Sequence, residues 1–144
     1  MNKIIVFISF LFSLSVHAQN INWVSFDNLQ KLNLHEPKPV MVFIHTDWCK
    51  YCLMQEEVTF KDSLIVNDLN ENYYCVKLNS ESDEPISFLN RTYHKTGNYH
   101  SLSYLLGAQN NELSYPTTVV LSPQFQITNR LVGYISKEEL RIAN

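Results

Sequence analysis

The chain has 144 residues, 45% of them apolar by type, with eight Phe and eight Tyr. That is enough for one domain with a core of its own. Its formal charge is -3, from 11 basic and 14 acidic residues with no like-charge run, which excludes the clustered Lys and Arg of a nucleic-acid face and a polybasic membrane patch.

Residues 1–18 differ from the rest. Lys3 supplies a positive start, 4–14 is apolar apart from Ser9 and Ser13, and Val16 and Ala18 stand at -3 and -1 before Gln19. This is the layout of a secretory signal peptide, so cleavage is expected near Ala18. The alternative is a membrane anchor, but an apolar run of about a dozen residues falls short of the ~20 needed to span. No Cys follows the run to carry a lipid. The mature chain is therefore expected in the periplasm or outside the cell, where disulfides persist.

Residues 21–26 read as a short strand or an entry segment. Ser25 or Asp27 caps a helix carrying Leu29, Leu32 and Leu34, which Glu36-Pro37-Lys38-Pro39 breaks. The unbroken apolar run 40–44 predicts a strand buried on both faces. Helices are expected over 49–60 and 63–70, and a strand over 73–79. Between them and the next strand, two helical pieces are expected, near 85–93 and 100–106, around a Gly97-Asn98 turn. Residues 117–121 and 125–133 read as a hairpin turned by Ser122-Pro123-Gln124. A last helix over 136–144 is capped by Ser136 with Glu139 three residues on. The order β-α-β-α-β-β-α predicts an α/β sandwich with a mixed sheet, the early strands parallel.

Chemistry concentrates at Cys49-Lys50-Tyr51-Cys52, at the junction of the 40–44 strand and the next helix. Residues i and i+3 share a helix face, so the two sulfurs can meet. A helix N-terminus presents unsatisfied N–H groups and partial positive charge. A thiolate there is stabilised, and the thiolate is the nucleophile of disulfide exchange. Cys49, at the helix start, is expected to attack and to be exposed between Trp48 and Tyr51. Cys52, deeper, is expected to resolve. Two other readings of the pair are a static disulfide and half a zinc site. Zinc normally takes four ligands, and no second Cys-x-x-Cys or His-x-x-x-His occurs; Leu53 after Cys52 excludes haem attachment.

The segment from Val40 to Cys52, with Asp47-Trp48 directly before Cys49, resembles the active-site strand and helix of the thioredoxin superfamily. Tyr115-Pro116-Thr117 resembles that family's cis-proline loop, and Gly133-Tyr134 the glycine closing its last strand. The likeness runs through residues 21–144. It is nearest the exported thioredoxin-like branch with DWCxxC and a helical insertion before the proline loop, here near 80–114. The resemblance implies a thioredoxin-like domain over 19–144 and a cis Pro116 beside the cysteines. It implies that Trp48, Tyr115 and Pro116 contact the substrate, the Tyr115 backbone pairing with an extended client. No cofactor is implied, because the disulfide carries the electrons. The implied partners are protein thiols and disulfides, with a membrane thiol relay as donor if the protein acts as a reductase; a monomer is expected.

The chain departs from thioredoxin itself in two places. Phe43 stands where thioredoxins bury an Asp that assists proton transfer, and Lys50-Tyr51 replaces Gly-Pro. His45 and Asp47 are candidates for tuning Cys49, and Glu56, four residues after Cys52, for relaying its proton. Cys75, in an apolar strand, is expected to be an inert buried thiol. Two rivals to catalysis stay open: a binding or chaperone module with a structural disulfide, and a redox sensor built on Cys75.

Overall fold

Five consecutive apolar residues suit a strand covered on both sides, and β1 (Val40–His45) is such a strand, with Val40 to Ile44 all buried. In the computed structural model, which describes residues 20–142, β1 lies inside a four-stranded sheet whose order is β2 (Tyr74–Asn79), β1, β7 (Thr117–Leu121), β8 (Ile127–Val132). The expected signal peptide lies outside the described residues. β2 runs parallel to β1; β7 and β8 are antiparallel to their neighbours. The sheet is therefore mixed, as the element order predicts.

Alternation along β1 separates the core into two halves. Met41 and Phe43 point into one cluster with Phe60, Ile65, Leu69, Leu140, Cys49 and Cys52. Val40, Val42 and Ile44 point into the other, with Phe26, Leu29, Phe88, Leu102 and Leu106. Each of these large side chains contributes about 1.5–3 kcal/mol by leaving water. One face of the sheet is thus covered by α2 (Lys50–Glu57), α3 (Ser63–Asn72) and α5 (Lys137–Ile142). The other is covered by α1 (Phe26–His35) and the 80–114 segment.

The helix caps follow the sequence. Ser25 Oγ accepts the Asn28 N–H at the start of α1. Ser136 and Glu139 form the reciprocal pair expected before α5. Asp62 caps α3 through the Leu64 and Ile65 N–H groups and also pairs with Arg141 and Lys137, tying α5 to α3. Residues 21–26 form an entry segment rather than a full strand: Trp23 bridges Cys75 in parallel, and α1 begins at Phe26. The helix after Cys49 ends at Glu57 and continues as a 3-10 turn, Thr59–Lys61.

The 80–114 segment corrects the sequence reading. Residues 85–93 are not helical; they form a hairpin of β3 (Ile86–Phe88) and β4 (Arg91–Tyr93). Leu89 and Asn90 both have positive φ, 50° and 61°, so a two-residue primed turn is made without the Asn-Gly pair that usually announces it. Contacts from α1 make the difference. Gln30 bonds the Leu89 N–H and the Ser87 carbonyl, and Phe88 packs between Phe26 and Phe125. A second hairpin, β5 (Lys95–Thr96) and β6 (Tyr99–His100), turns at Gly97-Asn98 as expected. Only the second expected helix forms, as α4 (Ser101–Gly107).

Candidate active site

β1 delivers the chain to His45, Thr46 begins the turn, and Cys49 becomes the N-cap of α2. The Cys49 N–H donates to the Thr46 carbonyl at 3.4 Å. Cys49 Sγ accepts the Cys52 N–H at 3.1 Å. Cys49 and Cys52 are joined as a disulfide, their Cα atoms 5.2 Å apart. The cap geometry aims the Cys52 amide at Cys49 Sγ, which favours negative charge on that sulfur once the disulfide opens.

Cys49 is only 6% exposed and Cys52 2%, so Cys49 is more covered than the sequence suggests. The cause is the cap itself: the side chain turns inward to the Cys52 amide instead of outward. Exposure belongs to the flanking aromatics, with Trp48 at 65% and Tyr51 at 63%. Trp48 Nε1 donates to Glu81 at 2.9 Å, and its ring meets Tyr115 edge-on at 6.0 Å.

The proline loop sits at the same end of the sheet because Ile44 of β1 pairs with Thr117 of β7. The Tyr115–Pro116 peptide bond is cis, Pro116 is buried, and its carbonyl accepts the Gly133 N–H at 2.8 Å. Trp48, next to Cys49 in the chain, and Tyr115, next to Pro116, are thus brought together from separate parts of the chain.

Behind α2 the site is mixed. Phe43 is fully buried and packs on Phe60, Trp23 and His45. Glu56, from α2, forms an ion pair with Lys77 of β2 at 2.6 Å, both half-buried. Burial first, and then the Lys77 charge, hold His45 below the ordinary imidazole range, against the opposing pull of Glu56 and Asp47. Asp47 accepts from Asn79 at 3.1 Å. Burial also pushes the Tyr115 hydroxyl up. Cys75 lies in β2, buried, with its thiol pushed up to about 12 by burial and the nearby Asp68 charge.

Two groups of residues escape a sequence reading. Gln55 is fully buried on α2 and binds both Thr118 and the Ile135 N–H, while Thr59 donates to the Ile135 carbonyl. They dock α2 on the sheet and on the segment after β8. Their signal is present as polar residues on the buried face of Cys52, at spacings of three and seven. Ser80 and Ser103, also fully buried, connect to Tyr115 and carry no local signal. Among the described residues, no three His, Cys, Asp or Glu side chains lie together as a metal-binding group. None of the described helices is long and apolar enough to cross a membrane.

The family model for a thioredoxin-like domain matches residues 26–143. No curated protein sequence matches the chain. Among solved structures, a thioredoxin from Thermus thermophilus superposes with a TM-score of 0.64 at 17% identity, over 86% of this chain and 84% of that one. A DsbH oxidoreductase gives 0.61 at 16% identity, over 90% and 85%. A proposed disulphide isomerase from Bacteroides thetaiotaomicron gives 0.62 at 25% identity, over 88% and 93%.

Proposed function

The chain belongs to the thioredoxin-like domain family, and from that premise we propose that it is an exported thiol–disulfide oxidoreductase that reduces protein disulfides through Cys49 and Cys52. The observation that carries this is the capped sulfur: Cys49 Sγ receives the Cys52 N–H at the start of α2, beside the cis-proline loop. A structural disulfide has no need of that helix terminus; a nucleophilic thiolate does.

Exchange begins when the Cys49 thiolate attacks one sulfur of a client disulfide. The other client sulfur leaves as a thiolate and takes a proton from water. Cys52 loses its proton and attacks the mixed disulfide at Cys49. The second client thiol is released. The client gains two electrons and two protons, and the Cys49–Cys52 disulfide seen in the structure is the oxidised product. Run backwards, the same steps make an oxidase.

Trp48, Tyr115 and the buried Pro116 form the proposed docking site, where an extended client strand pairs with the Tyr115 backbone. Glu56, four residues after Cys52 on α2 and paired with Lys77, is the proposed acceptor of the Cys52 proton. Export rests on residues 1–18, and the reductase direction on the resemblance to the exported thioredoxin-like branch, which calls for a membrane thiol relay as electron donor.

A redox titration of the mature chain tests the reading. A two-electron couple near about -250 mV or lower supports a reductase, and one near about -130 mV an oxidase. Failure to titrate at any accessible potential would remove catalysis and favour a binding module with a locked disulfide. Cys52→Ala sharpens the result: an exchanger accumulates client proteins disulfide-bonded to Cys49, and a binding module accumulates none.

A further inference from the structure

Tyr115 extends from the proline loop into the 80–114 segment. Its hydroxyl donates to Ser80 Oγ at 2.7 Å. Ser80 Oγ lies 2.6 Å from Ser103 Oγ, and Ser103 Oγ donates to the His100 carbonyl at 2.6 Å. Each hydroxyl has one proton. Ser103 gives its proton to His100, so Ser80 must donate to Ser103 and accept from Tyr115. The chain runs one way, Tyr115 to Ser80 to Ser103 to His100.

Ser80, His100 and Ser103 are all fully buried. Ser80 is also clamped by its backbone, its N–H donating to the His45 carbonyl and its carbonyl accepting the His100 N–H. A buried polar chain in which every proton is placed fixes one arrangement, whereas an incomplete one is costly. The anchored Tyr115 ring meets the exposed Trp48 ring edge-on. A continuous line therefore joins α4 to the aromatic surface beside Cys49. The line stops at the rings: Cys49 Sγ takes its hydrogen bond from the Cys52 amide.

We propose that Ser80 and Ser103 are positioning residues for client docking: they set the pose of Tyr115, and through it Trp48, so that the insertion governs the binding of extended protein disulfides and not the thiol chemistry of Cys49. The inference rests on the exchange reading under Proposed function. It predicts a separation between substrates. A protein client must lie along Tyr115 and Trp48, but a small disulfide needs only access to the Cys49 sulfur.

The test compares wild type with Ser103→Ala, Tyr115→Phe and the double variant. Insulin serves as protein disulfide and oxidised glutathione as small disulfide. Tyr115→Phe keeps the ring and removes only the hydroxyl, so it guards against a packing defect in Ser103→Ala. Each single variant should raise KM for insulin about fivefold, the size of one lost hydrogen bond, with kcat within about twofold. The double variant should be no worse than either, because both cut one chain. In Ser103→Ala the rate with glutathione and the reduction potential should not move. An unchanged insulin KM in both single variants overturns the proposal, and so does a parallel loss with glutathione in Ser103→Ala. A wild type inert toward both disulfides overturns the exchange reading itself, and this inference with it.

Discussion

Where β1 hands the chain to α2, the contacts are those of an apolar core. Phe43 packs on Phe60 and Trp23, and Cys52 sits in the same cluster. Where the 80–114 segment reaches the same site, the contacts are hydroxyls and carbonyls, from Tyr115 through Ser80 and Ser103. On the proposed function, the first region supplies the nucleophile and its helix terminus, and the second supplies part of the surface a client meets. Apolar burial is non-directional and tolerates volume-conserving exchange; a buried hydroxyl chain is directional and fails if one member is lost. On that proposal, one fold holds its chemistry constant while a polar insertion changes what it binds.

The largest effect should come from the sulfur itself. Cys49→Ser removes the attacking thiol and should abolish exchange with both insulin and oxidised glutathione. That contrasts with the Ser103→Ala variant, which should affect insulin alone. If Cys49→Ser kept measurable turnover of either disulfide, the division between a chemical region and a docking region would be lost.

The seam between the regions is tight at Gly107, the last residue of α4. A Cβ there would stand 2.6 Å from Ile44 Cδ1 and 3.0 Å from Leu113 Cδ1. Gly107→Ala should therefore cost about 1–3 kcal/mol of stability, toward the lower end because the Ile44 methyl is the end of a flexible chain. Urea unfolding followed by circular dichroism measures it. Since Ile44 belongs to β1 and pairs with Thr117, a shift of α4 should also reach the proline loop. A variant as stable as wild type would mean that the insertion rides loosely on the sheet.

A smaller effect is expected at Asp62, away from both regions. Burial raises its carboxyl, but the Ile65 and Leu64 amides and Arg141 outweigh that and leave it below the usual carboxylate range. A depressed folded value means that stability is present above the unfolded value, near 3.9, and is lost as pH falls through the folded one. Asp62→Ala should cost about 1 kcal/mol through the lost cap, and the variant should lose less stability than wild type as the pH falls below about 4. Exchange at neutral pH should not change. Urea titrations at several pH values read both outcomes.

Much of the exchange region is legible in the sequence because its signals are local. The apolar run at Val40 to Ile44 forms the central strand, and the Cys49-x-x-Cys52 spacing falls at a helix start. Ser25, and Ser136 with Glu139, cap where their side chains allow. The cis state of Pro116 is legible only through the family resemblance; no local spacing demands it. The insertion is less legible because its structure depends on distant partners. Ile86, Phe88 and Leu89 carry an apolar pattern that fits helix or strand. Gln30 and Phe26, far back in the sequence on α1, favour the hairpin, and Leu89-Asn90 turns with no glycine to mark it. Ser80 and Ser103 are similarly silent, since an isolated serine gives no sign that it will be buried in a relay.

The smallest effect should be at Cys75, and that is its value. The thiol shares the apolar cluster with Cys49 and Cys52, yet burial pushes it up to about 12. At pH 8 such a thiol is almost wholly protonated, whereas roughly a quarter of an ordinary thiol near 8.5 is ionised. Its sulfur faces the Leu69 carbonyl at 3.9 Å within the fold, so a reagent must also open the core to reach it. Folded protein should therefore leave Cys75 unalkylated by iodoacetamide over a time that labels reduced Cys49, and unfolding in guanidinium should release it. Cys75→Ser should leave the insulin and glutathione rates where they are, and non-reducing gels should show the same species for variant and wild type. A dimer present in wild type and missing from the variant would instead make Cys75 a redox group. The β1–β2 side of the core would then take part in the chemistry, rather than serving only as passive support for α2.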